Sequence, residues 1–191
     1  MTRLKAIAAF GVTGLVIFLI AGTWFLPGGL VLEITLLPDN TFVLSLPLVP
    51  DEHFTLHYYH SVENTPIWEV HSMDHSGALY IEEQRYEKFG ARMGKMPGVG
   101  RMVQKGKYEA IVDMHQPVGD FVLRVGSPGV DHTLIWRGRQ FNLSEKIPHR
   151  AVRFSGRPVT LLSRLGRYLG FARNHDPYML LQPPSQRKEN G

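Results

Sequence analysis

The chain has no cysteine at any of its 191 positions. Disulfides, thiol nucleophiles, cysteine metal sites and an acylated lipoprotein cysteine are therefore excluded. Charge is missing from a long N-terminal stretch: after Arg3 and Lys5 the next charged residue is Glu33. Acid is missing near the other end, where the segment from Lys146 to His175 holds seven Lys or Arg and no Asp or Glu. There is no G-x-S-x-G elbow and no G-x-x-x-x-G-K-[ST] loop, so neither a hydrolase elbow nor a P-loop nucleotide site is encoded. What is present is 43% hydrophobic and 20% charged content with a formal net charge of +4, enough apolar material for one ordinary domain.

The uncharged stretch comes first. Residues 6–26 form an apolar run long enough to cross a hydrocarbon core of ~30 Å as a helix. Pro27-Gly28-Gly29 ends it, and Trp24 and Phe25 stand where an interfacial aromatic belt falls. Arg3 and Lys5 favour a cytoplasmic N-terminus, which puts everything after residue 30 on the far side. A cleaved signal peptide is the alternative, but the run is longer than a signal core and Thr23, Trp24, Phe25 and Pro27 suit a cleavage site poorly. The expected organisation is a cytoplasmic N-terminus and single-pass anchor over 1–29, a β domain over 30–145, a basic amphipathic tail over 146–181 and a disordered end over 182–191.

From residue 30 the apolar residues recur with period two, broken by turn chemistry every 8–12 residues. Strands are predicted over 30–37, 41–46, 53–61, 67–73, 78–86, 108–114, 121–125, 132–137 and 140–143. Phe54, Leu56, Tyr58, Val70 and Val112 are read as inward-facing. Residues 89–107, rich in glycine and carrying Arg92, Lys95, Arg101 and Lys105, read as one long surface loop. The fold class expected is all-β, an antiparallel sandwich or barrel-like domain, with the N-terminal transmembrane helix and a C-terminal amphipathic helix over 158–172. That tail, with Arg153, Arg157, Arg164, Arg167 and Arg173, could lie on anionic headgroups, pack on a membrane partner or cover the sheet.

Five of the nine histidines, His53, His57, His60, His71 and His75, fall in one short segment, but their spacing fits no zinc pattern. A strand hairpin across residues 62–66 could bring His57 towards His71. His60, Ser61, Glu63 and Glu69 contain the residue types of a nucleophilic triad, yet neighbours on a strand point to opposite faces. The structural alternative is that Ser61 and Thr65 make turn hydrogen bonds and Pro66 fixes the turn. No catalytic residue, metal, cofactor or nucleic-acid partner is expected, and the chain reads as a non-enzyme.

The string YHSVENTP at 59–66, followed by Glu69, FGARM at 89–93, LRVG at 123–126 and HTLIWRGRQFNL from His132, resembles a small bacterial family catalogued as domain of unknown function eighteen-fifty. This chain has Asn64 where the family pattern carries lysine and Arg92 where it carries glycine. Members of the family are typically encoded beside TAXI-type TRAP transporters, ATP-independent importers that use a periplasmic solute-binding protein. The resemblance implies an accessory role in solute uptake; with the anchor and the lack of a persuasive catalytic group, the chain reads as a non-enzymatic accessory protein, single-pass in a bacterial inner membrane with its domain in the periplasm. Its implied partner is a transporter permease or solute-binding protein, alongside the lipid bilayer. The candidate contact residues are His60, Ser61, Glu63, Asn64, Thr65, Pro66 and Glu69. The alternative function is a periplasmic small-ligand or metal-binding module independent of the transporter.

Overall fold

The computed structural model describes Gly14, Gly22 and residues 26–87 and 98–166. In chain order the strands are β1 (Pro27–Leu36), β2 (Thr41–Leu48), β3 (Phe54–Tyr59), β4 (Pro66–Met73), β5 (Leu79–Tyr86) and β6 (Arg101–Lys105). They continue as β7 (Tyr108–Val112), β8 (Gln116–Pro117), β9 (Phe121–Arg124), β10 (Thr133–Trp136) and β11 (Arg139–Asn142). A single helical turn, α1 (Leu143–Lys146), precedes β12 (Ala151–Thr160).

All pairing is antiparallel, in two sheets. One sheet has the order β2-β1-β12-β9; the other runs β11-β10-β3-β4-β5-β7-β6, with β8 paired to β5. The result is an all-β fold of two sheets and not a closed barrel. Leu32, Ile34, Leu44, Leu46, Val152 and Phe154 from the first sheet meet Phe54, Leu56, Leu134 and Phe141 from the second in one buried cluster. Burying each such side chain contributes ~1.5–3 kcal/mol. Leu56 and Phe54 face this core as the alternation predicts, whereas Val70 pairs with Thr55 on the opposite face and is half-buried. Val112 is buried together with the two residues before it, Ala110 and Ile111, so period two there cannot single out one covered face.

The largest departure from the sequence reading is β12. Residues 151–160 are not tail: they form the strand between β1 and β9, with Val152 and Phe154 fully enclosed. Arginines alternate with the apolar positions there, so the exposed face hides the strand among basic residues. Beyond Phe154 no β9 residue pairs with β12, which leaves room for Pro158 with its missing donor. The β domain therefore extends past residue 145 to residue 160. Helical backbone covers 161–166, so the helix predicted over 158–172 begins later, and 167–172 lie outside the described residues.

The predicted glycine-rich loop likewise contains β6, joined to β7 through Gly106 at φ 63°. Its residues are mostly exposed on a sheet edge, so no apolar alternation marks it. The expected anchor over 6–26 lies outside the described residues except for Gly14, Gly22 and Leu26; Gly14 and Gly22 are helical. Among the described residues no helix is long and apolar enough to cross a membrane.

The strands define two poles. At one, Pro27 lies opposite Thr160, and the Leu161 N–H donates to the Leu26 carbonyl at 2.9 Å. At the other, Val125 N–H donates to Arg150 O and Tyr59 N–H donates to Val130 O, which gathers the 60–65 turn and the 125–131 loop beside the start of β12. Ten residues of strand separate the poles by roughly 30 Å at ~3.3 Å per residue.

Candidate functional site

The 60–65 turn links β3 to β4 at the far pole. His60 N–H donates to Thr65 O and Asn64 N–H donates to His60 O, each at 2.9 Å. The His60 imidazole completes the turn: its Nδ1 accepts from Glu63 N–H at 3.2 Å and lies 3.4 Å from Val62 N. Asn64 adopts φ 50°, a left-handed conformation that asparagine tolerates better than most side chains. The hydroxyls expected to fix the turn do not do so. Thr65 Oγ1 is buried without a protein hydrogen-bond partner, and Ser61 is exposed. The turn is thus held by a ring and its own backbone, and it presents Ser61, Val62, Glu63 and Asn64 to solvent, with Val62 85% exposed.

Glu69 does not join that surface. The register puts it opposite Leu56, on the inner face, just as His71 lies opposite Phe54. Val70, read from the sequence as inward-facing, and Trp68, of the same parity, face out: Trp68 is opposite His57 and packs against Tyr108. His57 and His71 therefore stand on opposite faces of the hairpin and do not approach one another. His60 points into its turn rather than towards Ser61, so the triad residue types are not assembled.

The inner cluster is polar and largely enclosed. Tyr58 OH donates to Glu69 Oε1 at 2.9 Å. His71 is sandwiched between the rings of Phe54 and Phe121, at 5.2 and 5.3 Å. Its Nε2 is 3.5 Å from Glu69 Oε2, within ion-pair reach but not aligned as a hydrogen bond, and at 3% exposure neither ring nitrogen has a protein hydrogen-bond partner. His132 stacks on Tyr58 at 5.0 Å, and its Nδ1 accepts from Gly126 N–H, which leaves the ring proton on Nε2 in the neutral form. Burial holds the His132 imidazole below its ordinary range, against the opposing pull of Glu69 and Asp131. Burial and the Glu69 carboxylate push the Tyr58 phenol well up and the Tyr86 phenol to about 12. The shifts keep both phenols protonated and favour the neutral form of the His132 ring around Glu69.

The basic candidates are scattered. Arg153 is exposed on β12 opposite Thr35, and Arg157, opposite Val31, is ion-paired with Glu33. Arg164 donates from Nη1 to Gly28 O at 2.8 Å, at the pole where β1 begins. Arg167 and Arg173 lie outside the described residues, as do Arg92 and Lys95. Arg101 pairs with Asp113 and Lys105 with Glu83, so these two cations already have carboxylate partners. Among the described residues no three His, Asp or Glu converge as a metal-ligand set. A cleft of about 140 Å³ lies beside Gln84, the residue opposite Glu69, and is lined by Ile81, Val99, Ile111, Met114, Gln116 and Val118.

Residues 54–143 match the family model described as "Domain of unknown function (DUF1850)". The match runs from the first residue of β3 to the first of α1, and so contains the turn, the inner cluster and β9 but not β1, β2 or β12. No curated protein and no solved structure matches the chain.

Proposed function

We propose, from the match of residues 54–143 to the DUF1850 family model, that this chain is a non-enzymatic accessory protein of a TAXI-type TRAP solute transporter. In this reading residues 6–26 anchor it in the inner membrane and the β domain stands in the periplasm. The 60–65 turn is the contact surface. The observation that carries the reading is the form of that turn: a backbone fixed by His60, presenting an apolar side chain, Val62, flanked by Ser61 and Glu63. A preformed loop with one exposed apolar tip on a rigid sheet loses little entropy on binding, which is how contact surfaces are commonly built.

The position of the turn favours one of the two transporter subunits in this reading. It lies at the pole remote from residue 27, roughly 30 Å away along β12. A surface so placed meets a soluble periplasmic protein more readily than a membrane-embedded permease, and the solute-binding protein is the partner proposed. The test is co-purification from native membranes. Wild-type protein should retain the solute-binding protein, and Val62→Asp together with Glu63→Ala should lose it without changing the melting temperature. Retention by the double variant, or capture of the permease alone, would refute the turn as the contact.

A second reading is favoured by one feature. His71 is buried beside Glu69 with neither ring nitrogen in a protein hydrogen bond, which fits a small hydrogen-bonding ligand held between the sheets. Ligand carried through purification and identified by native mass spectrometry, then lost in Glu69→Ala, would move that reading to first place.

A further inference from the structure

The pole where β1 begins gathers apolar residues at its surface. Three of its residues are large, apolar and exposed: Leu26 at 50%, Val49 at 56% and Leu165 at 47%. They come from three separate segments that the fold draws together. Leu26 accepts the backbone hydrogen bond from Leu161, which opens the helical residues 161–166, and Leu48 lies opposite Leu30 at the end of β2. Arg164 ties the segments: its Nη1 donates to Gly28 O, and a Cβ added at Gly29 would lie 3.4 Å from that Nη1 and 3.8 Å from Leu48 O. Apolar tips around an exposed guanidinium form a surface with two chemistries at once.

Two acids lie close by. Glu52 is engaged by Val49 N–H, Trp136 and Arg137, while Asp51 is exposed and works against an anionic partner. Arg164 itself lies in the segment from Lys146 to His175, which is free of acid.

We infer that this pole is a second membrane contact, in which Leu26, Val49 and Leu165 enter the interface and Arg164 meets anionic lipid headgroups. The inference rests on the proposed anchor, because residue 26 is where the apolar run over 6–26 ends and the domain begins. An apolar surface with a guanidinium at its centre, placed at the point where a membrane span emerges, matches the boundary between acyl chains and headgroups. The contact orients the domain: with this pole on the bilayer, the 60–65 turn faces away from it. Arg153, seven residues before Thr160 and so ~23 Å along the strand, takes no part.

The absence of native cysteine makes the test direct. Full-length protein carrying a single spin label at Val49→Cys, Leu165→Cys or Val62→Cys is reconstituted into phosphatidylglycerol vesicles, and collision with oxygen is compared with collision with a water-soluble nickel chelate. Labels at 49 and 165 should favour oxygen, and the label at 62 should favour nickel. In phosphatidylcholine vesicles, or with Arg164→Glu, the first two should shift towards nickel, while Arg164→Lys should keep the original ratio. Water-exposed labels at 49 and 165 in a chain that resists alkaline extraction overturn the inference and leave the anchor standing. A chain released by alkali overturns the anchor itself. Ratios indifferent to lipid charge and to Arg164→Glu overturn the headgroup contact.

Discussion

The two sheets face the same core but are built from different material. The inner face of β2-β1-β12 is entirely aliphatic and aromatic, with Leu32, Ile34, Leu44, Leu46, Val152 and Phe154 all at 1% exposure or less. The facing sheet, which the family match covers, places Tyr58, Glu69, His71 and Gln84 among its inward positions. Polar groups in an enclosed face cost free energy unless paired, and His71 is not paired by any protein hydrogen bond. The comparison teaches that the flanking strands, outside the family match, supply the apolar half of the sandwich. The matched segment carries the polar features and the exposed turn.

The strongest way to break this comparison is to remove β12. A chain ending at residue 145 loses Val152 and Phe154 from the core and the pairing partner of both β1 and β9. It should fail to fold, as read by loss of a cooperative thermal transition, whereas a chain ending at residue 166 should melt like the full protein. Cooperative folding of the 145-residue chain would mean that the matched sheet is self-sufficient. Within the matched sheet, Leu56→Ala should cost ~2–5 kcal/mol by denaturant titration, because Leu56 is 2% exposed and opposes Leu134 on β10.

A smaller effect sharpens the contrast between apolar and polar faces. Burial holds the folded-state pKa of His132 below its unfolded value near 6.5. The neutral ring therefore contributes stability that is fully present above pH ~6.5 and declines as pH falls through the window down to the depressed folded value. Melting temperatures measured from pH 7.5 to 5 should fall, and His132→Phe should flatten part of that slope. His57, lowered for the same reason, supplies a further share.

The smallest effects belong to the turn. Thr65→Val should leave the melting temperature unchanged or raise it, because Thr65 Oγ1 is buried without a protein partner. Glu63→Ala should not move it, since the Glu63 side chain is exposed and only its backbone N–H supports the turn. His60→Ala should lower it, because the imidazole holds that N–H.

Much of the fold was legible because a half-buried strand writes its period into the sequence. The hairpin of β3 and β4, with Phe54 and Leu56 inward, follows directly from that signal. The signal fails where burial is not one-sided. In β12 the exposed face is arginine and serine, so the strand reads as a basic tail; in β6 almost nothing is buried. The turn between β3 and β4 is legible in the sequence, but the orientation of the residues after it is not. Across W-E-V-H, at 68–71, the apolar residues suggested the inward face. The pairing of Phe54 with His71 instead turns Glu69 and His71 inward and sends Trp68 to an aromatic contact with Tyr108. Neighbouring strands set that parity, and no local pattern records it.

Photo-crosslinking from position 62 in native membranes tests the central claim most directly. With a photoreactive residue replacing Val62 in the full-length protein, the account predicts one dominant adduct, with the periplasmic solute-binding protein, and no such adduct from the same residue placed at Val122 on the edge strand β9. Equal labelling from both positions, an adduct with the permease alone, or none from position 62 would contradict it.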